Sequence, residues 1–132
     1  MGKEVLNTLS TPINAATATA TSAEINIEGA KKVSFIFTRA NHASGSSKFE
    51  ALTSVDGTLF AAGMLIKTIA ADAGAGTSGE DIGYTRALST TLGGNGSEVW
   101  ALDLTHFAFT SLKIKATETT DGTHTAKILV EY

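Results

Sequence analysis

Hydrophobic and polar positions alternate along most of this chain, and that period of two residues is typical of β-strands. In the segment 33–37, Val33, Phe35 and Phe37 fall on one face and Ser34 on the other. Segments 23–28 and 112–117 repeat this alternation, whereas no segment shows the 3.6-residue period of an amphipathic helix. The pattern therefore predicts an all-β protein.

Two Asp-Gly-Thr triplets interrupt the alternating segments and predict where the chain turns. Asp56 and Gly57 begin the first triplet, and Asp121 and Gly122 begin the second. Asp-Gly between β-like segments is the strongest short-range signal for a hairpin, because a type I′ turn requires a positive φ at both central positions. We therefore expect these four residues to form turns between antiparallel strands.

The spacing of turn signals indicates eight or nine short strands. Short strands separated by turns every ten residues or so are typical of a two-sheet structure. We expect a single antiparallel β-sandwich of the jelly-roll type, with a β-barrel as the alternative. A chain of 132 residues fits one such domain.

The first 22 residues differ in composition from the rest. Val5–Leu9 predicts a short strand that Pro12 ends, and Ala15–Ser22 then alternates alanine with threonine. The sequence thus divides into an N-terminal strand and extended arm, 1–22, and a sandwich domain, 23–132. An extended segment can add to the sheet edge of a neighbouring molecule. The candidate interface residues in the arm are Ala15, Thr17, Thr19 and Thr21.

The last predicted strand, Ala126–Tyr132, contains three consecutive apolar residues, Ile128 to Val130. Apolar residues on both faces predict a strand that is covered on both sides, either by the fold itself or by a neighbouring subunit. Ile128, Val130 and Tyr132 therefore complete the set of candidate interface residues.

Composition and charge narrow the possible partners. The net charge is −3 and no dense Lys/Arg cluster exists, so the sequence does not predict nucleic-acid binding. The longest mostly apolar run, Leu59–Ile66, is too short to cross a bilayer, so no membrane association is expected. The chain has no cysteine, which excludes disulfides and cysteine-based zinc sites. The N-terminus lacks the apolar core of a signal peptide, so synthesis in a cytoplasm is expected.

No constellation in the sequence predicts catalysis. Gly74–Gly79 matches G-x-G-x-x-G, but no helix is predicted after it, so a dinucleotide site is not expected. His42, His106 and His124 are scattered without metal-ligand spacing. The carboxylates of the loop Ala70–Asp81 lack the spacing of a calcium-binding loop. We therefore expect no enzyme activity, no cofactor, no metal ion, and no catalytic residue.

Aromatic residues open one alternative to a purely structural role. Exposed Trp100, Tyr84 or Tyr132 would form a platform on which a sugar could stack. The alternative hypothesis is therefore a carbohydrate-binding, lectin-like sandwich.

The segment Phe49–Phe60 places Ser-x-Asp-Gly-Thr-x-aromatic directly after a strand, and 117–123 has a similar turn before the last strand. In this the chain resembles small β-sandwich virion proteins of tailed bacteriophages, especially capsid decoration and auxiliary head proteins. The resemblance implies a non-enzymatic structural protein of the virion that binds the major capsid protein or another virion protein. It also implies a homo-oligomer, commonly a trimer, and no catalytic residues.

Overall fold

Twelve β-strands and no helix make up the part of the chain that the computed structural model describes, namely residues 9–41, 44–70, 82–105, 107–118 and 122–132. The all-β prediction is confirmed, and eight of the strands have six residues or more. In chain order the strands are β1 Leu9–Ala16, β2 Ala20–Thr21, β3 Ile25–Asn26, β4 Lys32–Ala40, β5 Ser47–Ser54, β6 Ala61–Ala62, β7 Leu65–Ala70, β8 Ile82–Ala87, β9 Thr90–Leu92, β10 Gly96–Leu102, β11 Ser111–Glu118 and β12 Thr123–Glu131.

The strands form two antiparallel sheets. The front sheet has the order β1-β12-β4-β10-β7-β8. The back sheet has the order β2-β11-β5-β6, and β3 and β9 pair with β11 and β5 respectively. Neither sheet closes on itself, so the β-sandwich prediction is confirmed and the barrel alternative is wrong.

The core lies between the two sheets, where the inward faces of the long strands meet. Phe37 of β4 stacks on Phe35 at 5.4 Å and on Phe49 of the back sheet at 4.7 Å between ring centroids. Alternate residues of β4 are buried, as the sequence period predicts. The buried apolar residues are Ile13, Ile27, Val33, Phe35, Phe37, Phe49, Ala51, Leu65, Leu92, Trp100, Leu102, Leu112, Ile114, Ala116, Ala126 and Ile128.

Among the described residues, one face of the last strand, β12, is covered. It lies between β1 and β4, and Ile128, opposite Phe35, is 1% exposed within the core. Leu129 points to the other face and is exposed. The described part of the fold therefore covers one face of this strand, and cover of the other face by a neighbouring subunit stays a prediction. Because Ile128 is a core residue, it has no surface for a partner, whereas Val130 packs partly buried at the margin of the core.

Pro12 lies inside β1 instead of ending a strand before it. β1 is an edge of the front sheet, where the missing N–H of proline can face away from the sheet, so the strand tolerates it. The pairing of β1 with β12 is shifted twice, between Ser10 and Ile13 and between Ile13 and Ala16. Ala15, at the second shift, has a φ of 52°. The expected strand Val5–Leu9 lies largely outside the described residues.

The arm connects the two sheets of the sandwich. β1 pairs with β12 in the front sheet, and β2 pairs with β11 in the back sheet. Between them, the carbonyl oxygen of Ala18 lies 2.7 Å from Nε2 of the buried His124. Residues 9–22 thus contribute contacts to both sheets, so deleting them would remove part of the folded domain along with any interface.

Arg39 of β4 is fully buried at one end of the sandwich. Its guanidinium donates hydrogen bonds to the carbonyl oxygens of Gly45 at 3.0 Å and Ser44 at 2.8 Å, in the connection to β5. It also lies 3.9 Å from the carboxylate of Glu118, which is almost as buried. Buried charges require partners. Here each charge is the partner of the other, and the contact joins β4 of the front sheet to β11 of the back sheet.

Ser47 and His124 extend this buried network. The hydroxyl of Ser47 donates to Glu118 Oε1 at 3.2 Å, and His124 Nδ1 lies 3.3 Å from the same oxygen. Ser47 and His124 are both fully buried, so this serine–histidine–carboxylate grouping has no access for a substrate. The network is a structural connection between the sheets, which also holds the arm through Ala18.

A second polar cluster surrounds Glu98 on β10. Its Oε1 accepts hydrogen bonds from Thr90 Oγ1 at 2.5 Å and from Trp100 Nε1 at 2.9 Å, and Lys67 Nζ lies 3.5 Å from Oε2. Partial burial, taken by itself, acts to raise the pKa of Glu98. The bonds from Thr90 and Trp100 and the charge of Lys67 outweigh burial, so that the pKa lies below its ordinary value.

The lowered pKa of Glu98 predicts a pH-dependent part of the stability. A depressed pKa means that the ionised form stabilises the fold above the ordinary value of 4.5, and that this contribution is lost as the pH falls through the lower, folded-state pKa. We expect Glu98→Gln to flatten the melting temperature between about pH 6 and pH 3 relative to the unmodified protein. Thermal unfolding across this range checks it, and parallel curves for the two proteins would contradict it.

Candidate protein-binding surfaces

Nine large hydrophobic side chains are exposed among the described residues, and they lie on two surfaces. Isolated exposed apolar residues are normal, but contiguous ones mark interaction sites. One group lines a groove at an end of the sandwich, here called the apolar groove: Val55, Leu59, Met64, Leu88 and Phe107. The other lies on the outer face of the front sheet, here called the outer-face patch: Leu9, Tyr84, Val99 and Leu129.

The wall of the apolar groove is the connection between β5 and β6, which contains the first Asp-Gly-Thr triplet. Asp56 Oδ1 accepts hydrogen bonds from the backbone N–H groups of Thr58 at 2.8 Å and Leu59 at 2.9 Å, and from the hydroxyl of Ser54 at 3.1 Å. Because these bonds fix the loop, Leu59 projects from it with 77% of its surface exposed.

The geometry of this turn differs from the one the sequence predicts. Gly57 has a φ of +81°, but Asp56 does not have a positive φ, so the type I′ expectation is wrong. The reason is the side chain of Asp56, which caps the backbone of the next residues and produces a longer loop between Ser54 and Ala61. The bonds from Leu59, Thr58 and Ser54 lower the pKa of Asp56, so its carboxylate stays ionised at neutral pH.

The floor of the groove is formed where Gly63 approaches β5 and β10. Its N–H donates to the carbonyl oxygen of Ala51 at 2.7 Å, and a Cβ built on it would lie 2.7 Å from Thr53 Cγ2 and 3.0 Å from Leu102 Cδ1. Only glycine fits this close approach. The groove above it has a volume of about 680 Å³.

An ion pair and two stacked rings complete the groove. Arg86, at the end of β8, places its Nε 3.6 Å from the largely buried carboxylate of Asp103, after β10. Phe107 stacks on Phe109 with centroids 5.9 Å apart, and Phe107 is 66% exposed. The groove therefore combines exposed apolar rings and chains with a fixed ion pair.

The outer-face patch follows from the register of the front sheet. Leu9 lies opposite Leu129 on the neighbouring strand, and Val99 lies opposite Ile36. All of these side chains point away from the core, because the inward positions of the same strands carry the buried residues. The four residues thus share one face of the sheet and lie on β1, β12, β10 and β8, with β4 and β7 between these strands.

The structure distributes the sequence-derived interface residues over several environments. Tyr132 is partly buried and donates its hydroxyl hydrogen to the carbonyl oxygen of Asn26 at 3.1 Å. Gly122 has a φ of 111°, while Asp121 lies outside the described residues. The arm residues that the sequence proposes for an interface are all exposed: Ala15, Thr17, Thr19 and Thr21.

The aromatic residues do not assemble a sugar-stacking platform. Trp100 is 5% exposed, because its ring lies in the core with Lys67 Nζ 5.4 Å from the ring centroid. Trp100 is thus unavailable to the lectin-like alternative, whereas Tyr84 is exposed.

The expectations about metal and nucleotide binding fall partly outside the described residues. His42, His106 and the glycine-rich stretch 71–81 lie there. Within the described ranges, His124 is buried, and no group of three or more histidine or acidic residues could hold a metal ion. The same part of the chain contains no helix that is long and apolar enough to span a membrane.

The apolar groove was missed by sequence reasoning, although one signal for it was present. Leu59 and Phe107 lie in segments that contain turn signals, and Leu59 comes directly after the first Asp-Gly-Thr triplet. A large apolar residue inside a turn has few ways to reach the core, so it is a candidate for exposure. Leu59 lies in one groove with Met64 and Leu88 because of the way the two sheets assemble, and no sequence pattern predicts this.

Comparison with known proteins shows similarity of fold. No protein-family model matches the chain, and no curated protein matches its sequence. A crystal structure titled SPBc2 prophage-derived protein YomS matches with a TM-score of 0.63 and 15% sequence identity, over 95% of this chain and 93% of that one. At this identity the match shows a shared fold along nearly the whole length of both chains.

Proposed function

We propose that this protein is a non-enzymatic structural protein of a bacteriophage particle, which binds a capsid or other virion protein through its apolar groove and associates with further copies of itself. The single observation that carries the proposal is the gathering of five exposed large apolar residues in the apolar groove of the sandwich. A protein that functions through contacts needs such surfaces, whereas the buried polar groups at Arg39 and Glu98 serve the fold.

Two further observations support a phage origin and a virion location. The fold match is to a prophage-derived protein, and the Asp56-Gly57-Thr58 turn that carries the resemblance to small virion proteins is also the wall of the groove. The motif therefore holds Leu59 where a partner would meet it. We propose that the partner supplies an apolar segment, because the groove is lined mainly by apolar side chains.

The groove gives a direct test of particle binding. We expect Leu59→Ser combined with Phe107→Ser to weaken binding by at least about 30-fold, since two exposed anchors each contribute about 1–2 kcal/mol to an interface. The probe is the particle produced from the genome that encodes this chain, with its gene deleted, to which purified protein is added back. Cosedimentation measures the binding.

The matched control is Val99→Ser, which removes a similarly exposed apolar residue from the outer-face patch. It should leave particle binding unchanged. Equal binding by the groove variant and the unmodified protein would reject the groove as the particle contact, and absence of the protein from purified complete particles would reject the virion role.

A further inference from the structure

Three of the four sheet edges in the described residues carry features that hinder additional strand pairing. At one edge of the front sheet, β1 contains Pro12, two register shifts and the positive φ of Ala15. The back sheet ends on one side in β2 and β3, with two residues each, and on the other in β6 and β9, with two and three. Proline, bulges and short strands are the devices by which proteins protect sheet edges.

The fourth edge, β8, has none of these features. It pairs with β7 through six consecutive register positions without a shift, from Ala87 at one end to Ile82 at the other. It contains no proline, and its one charged residue, Arg86, forms an ion pair with Asp103 of the same chain. Within the described part of the chain, β8 has no strand on its outer side. A regular, unprotected edge strand is a template for a further strand.

We infer that β8 pairs with β8 of a second copy in antiparallel orientation, about a two-fold axis at Thr85; this inference rests on the self-association included in the proposed function. A two-fold axis makes the two copies use the same surface, so the strand must complement itself. With Thr85 on the axis, Tyr84 lies opposite Arg86 of the partner subunit, and the contact occurs twice.

The side chains favour this register over the one centred on Arg86. Tyr84 and Arg86 occupy the same face of β8, and a guanidinium over a tyrosine ring is attracted to it. An axis at Arg86 would instead place two like charges directly opposite each other, which is unfavourable. Pairing about Thr85 joins two front sheets into one continuous sheet. It also brings the two outer-face patches side by side, since Tyr84 belongs to the patch.

A two-fold contact closes as a dimer, and the dimer is therefore the expected unit in place of the trimer that the resemblance implies. Light scattering of the purified protein across the micromolar range should give twice the mass of one chain. We expect Tyr84→Lys to raise the dimer dissociation constant by at least about tenfold, because it replaces two favourable cross-strand pairs with two like-charge pairs. Val99→Lys changes an equally exposed residue, 63% in both cases, on a central strand and should leave the dimer intact.

Disulfide cross-linking tests the register independently of stability. The chain has no cysteine, so Thr85→Cys introduces a single thiol. Directly opposite residues of an antiparallel pair have Cβ atoms about 4.5–5.5 Å apart, close to the span of a disulfide. Mild oxidation should therefore link Thr85→Cys into dimers, whereas Thr91→Cys, at an exposed position of the back sheet, should remain unlinked.

A monomer throughout the concentration range would overturn the inference, and so would a dimer that survives Tyr84→Lys while Thr85→Cys stays unlinked. Failure of this inference can be distinguished from failure of the proposed function, because the two depend on different residues. The groove variants should weaken particle binding while keeping the dimer, and Tyr84→Lys should weaken the dimer while leaving the groove of each copy intact.

Discussion

Replacing Arg39 with methionine is expected to lower the free energy of unfolding by about 3–5 kcal/mol. The substitution keeps an unbranched chain of similar length but removes the charge beside the buried carboxylate of Glu118. It also removes the donors to the carbonyl oxygens of Ser44 and Gly45. A buried charge that loses its partner retains its full desolvation penalty, so removing one member costs more than the pair itself contributes.

Urea denaturation followed by circular dichroism measures this loss. The matched control is Lys32→Met on the same strand, where the ion pair with Glu131 is exposed at both ends and should contribute less than about 1 kcal/mol. A second variant, Arg39→Met with Glu118→Gln, removes both charges and should recover a large part of the loss. Equal effects of the Arg39 and Lys32 substitutions would contradict the buried network.

The contact between Arg39 and Glu118 shows which structural features the sequence predicts and which it does not. The alternation that starts at Val33 places Arg39 on the buried face of β4, three pairs of residues further along the strand. A charged residue in that position indicates a buried partner. The partner, Glu118, belongs to another sheet and comes 79 residues later, and no local pattern identifies it. Local periodicity determines the face of a residue, but the sheet order determines its contacts.

The same limit explains the strand boundaries that differ from expectation. The segment Tyr84–Leu92 reads as one strand, yet the chain leaves the front sheet after Ala87 and enters the back sheet at Thr90. A sandwich can move a strand from one layer to the other within a few residues, and the alternation on either side of the move looks continuous. At Pro12 the sequence instead predicts the end of a strand, yet β1 continues through it, because an edge strand tolerates proline.

The sequence predicts the general kind of surface, but not the residues that form it. Low charge and abundant small residues are typical both of β-sandwiches and of surfaces that meet other proteins, and the first Asp-Gly-Thr triplet indicates a turn. Whether Leu59 and Phe107 join the core or the surface depends on which loops meet at the end of the sandwich. Their convergence with Met64 and Leu88 is a property of the assembled sheets, as is the absence of protection at β8.

A comparison of two phenylalanines separates the residues that stabilise the fold from those available for contact. Phe37→Ala is expected to lower the free energy of unfolding by about 3–5 kcal/mol, because the ring is fully buried and the space it leaves cannot collapse between two rigid sheets. The ring also stacks on Phe35 and Phe49, so its loss removes both aromatic contacts.

Phe107→Ala deletes the same atoms at the groove and is the control. Its ring is mostly exposed and stacks only on Phe109 among the described aromatic residues, so the unfolding free energy should fall by less than about 1 kcal/mol. Chemical denaturation of both variants measures the difference, and particle cosedimentation measures the complementary effect. If the groove is a contact surface, Phe107→Ala weakens binding without loss of stability. A stability loss comparable to that of Phe37→Ala would show instead that Phe107 belongs to the core, and the groove would lose its most exposed ring.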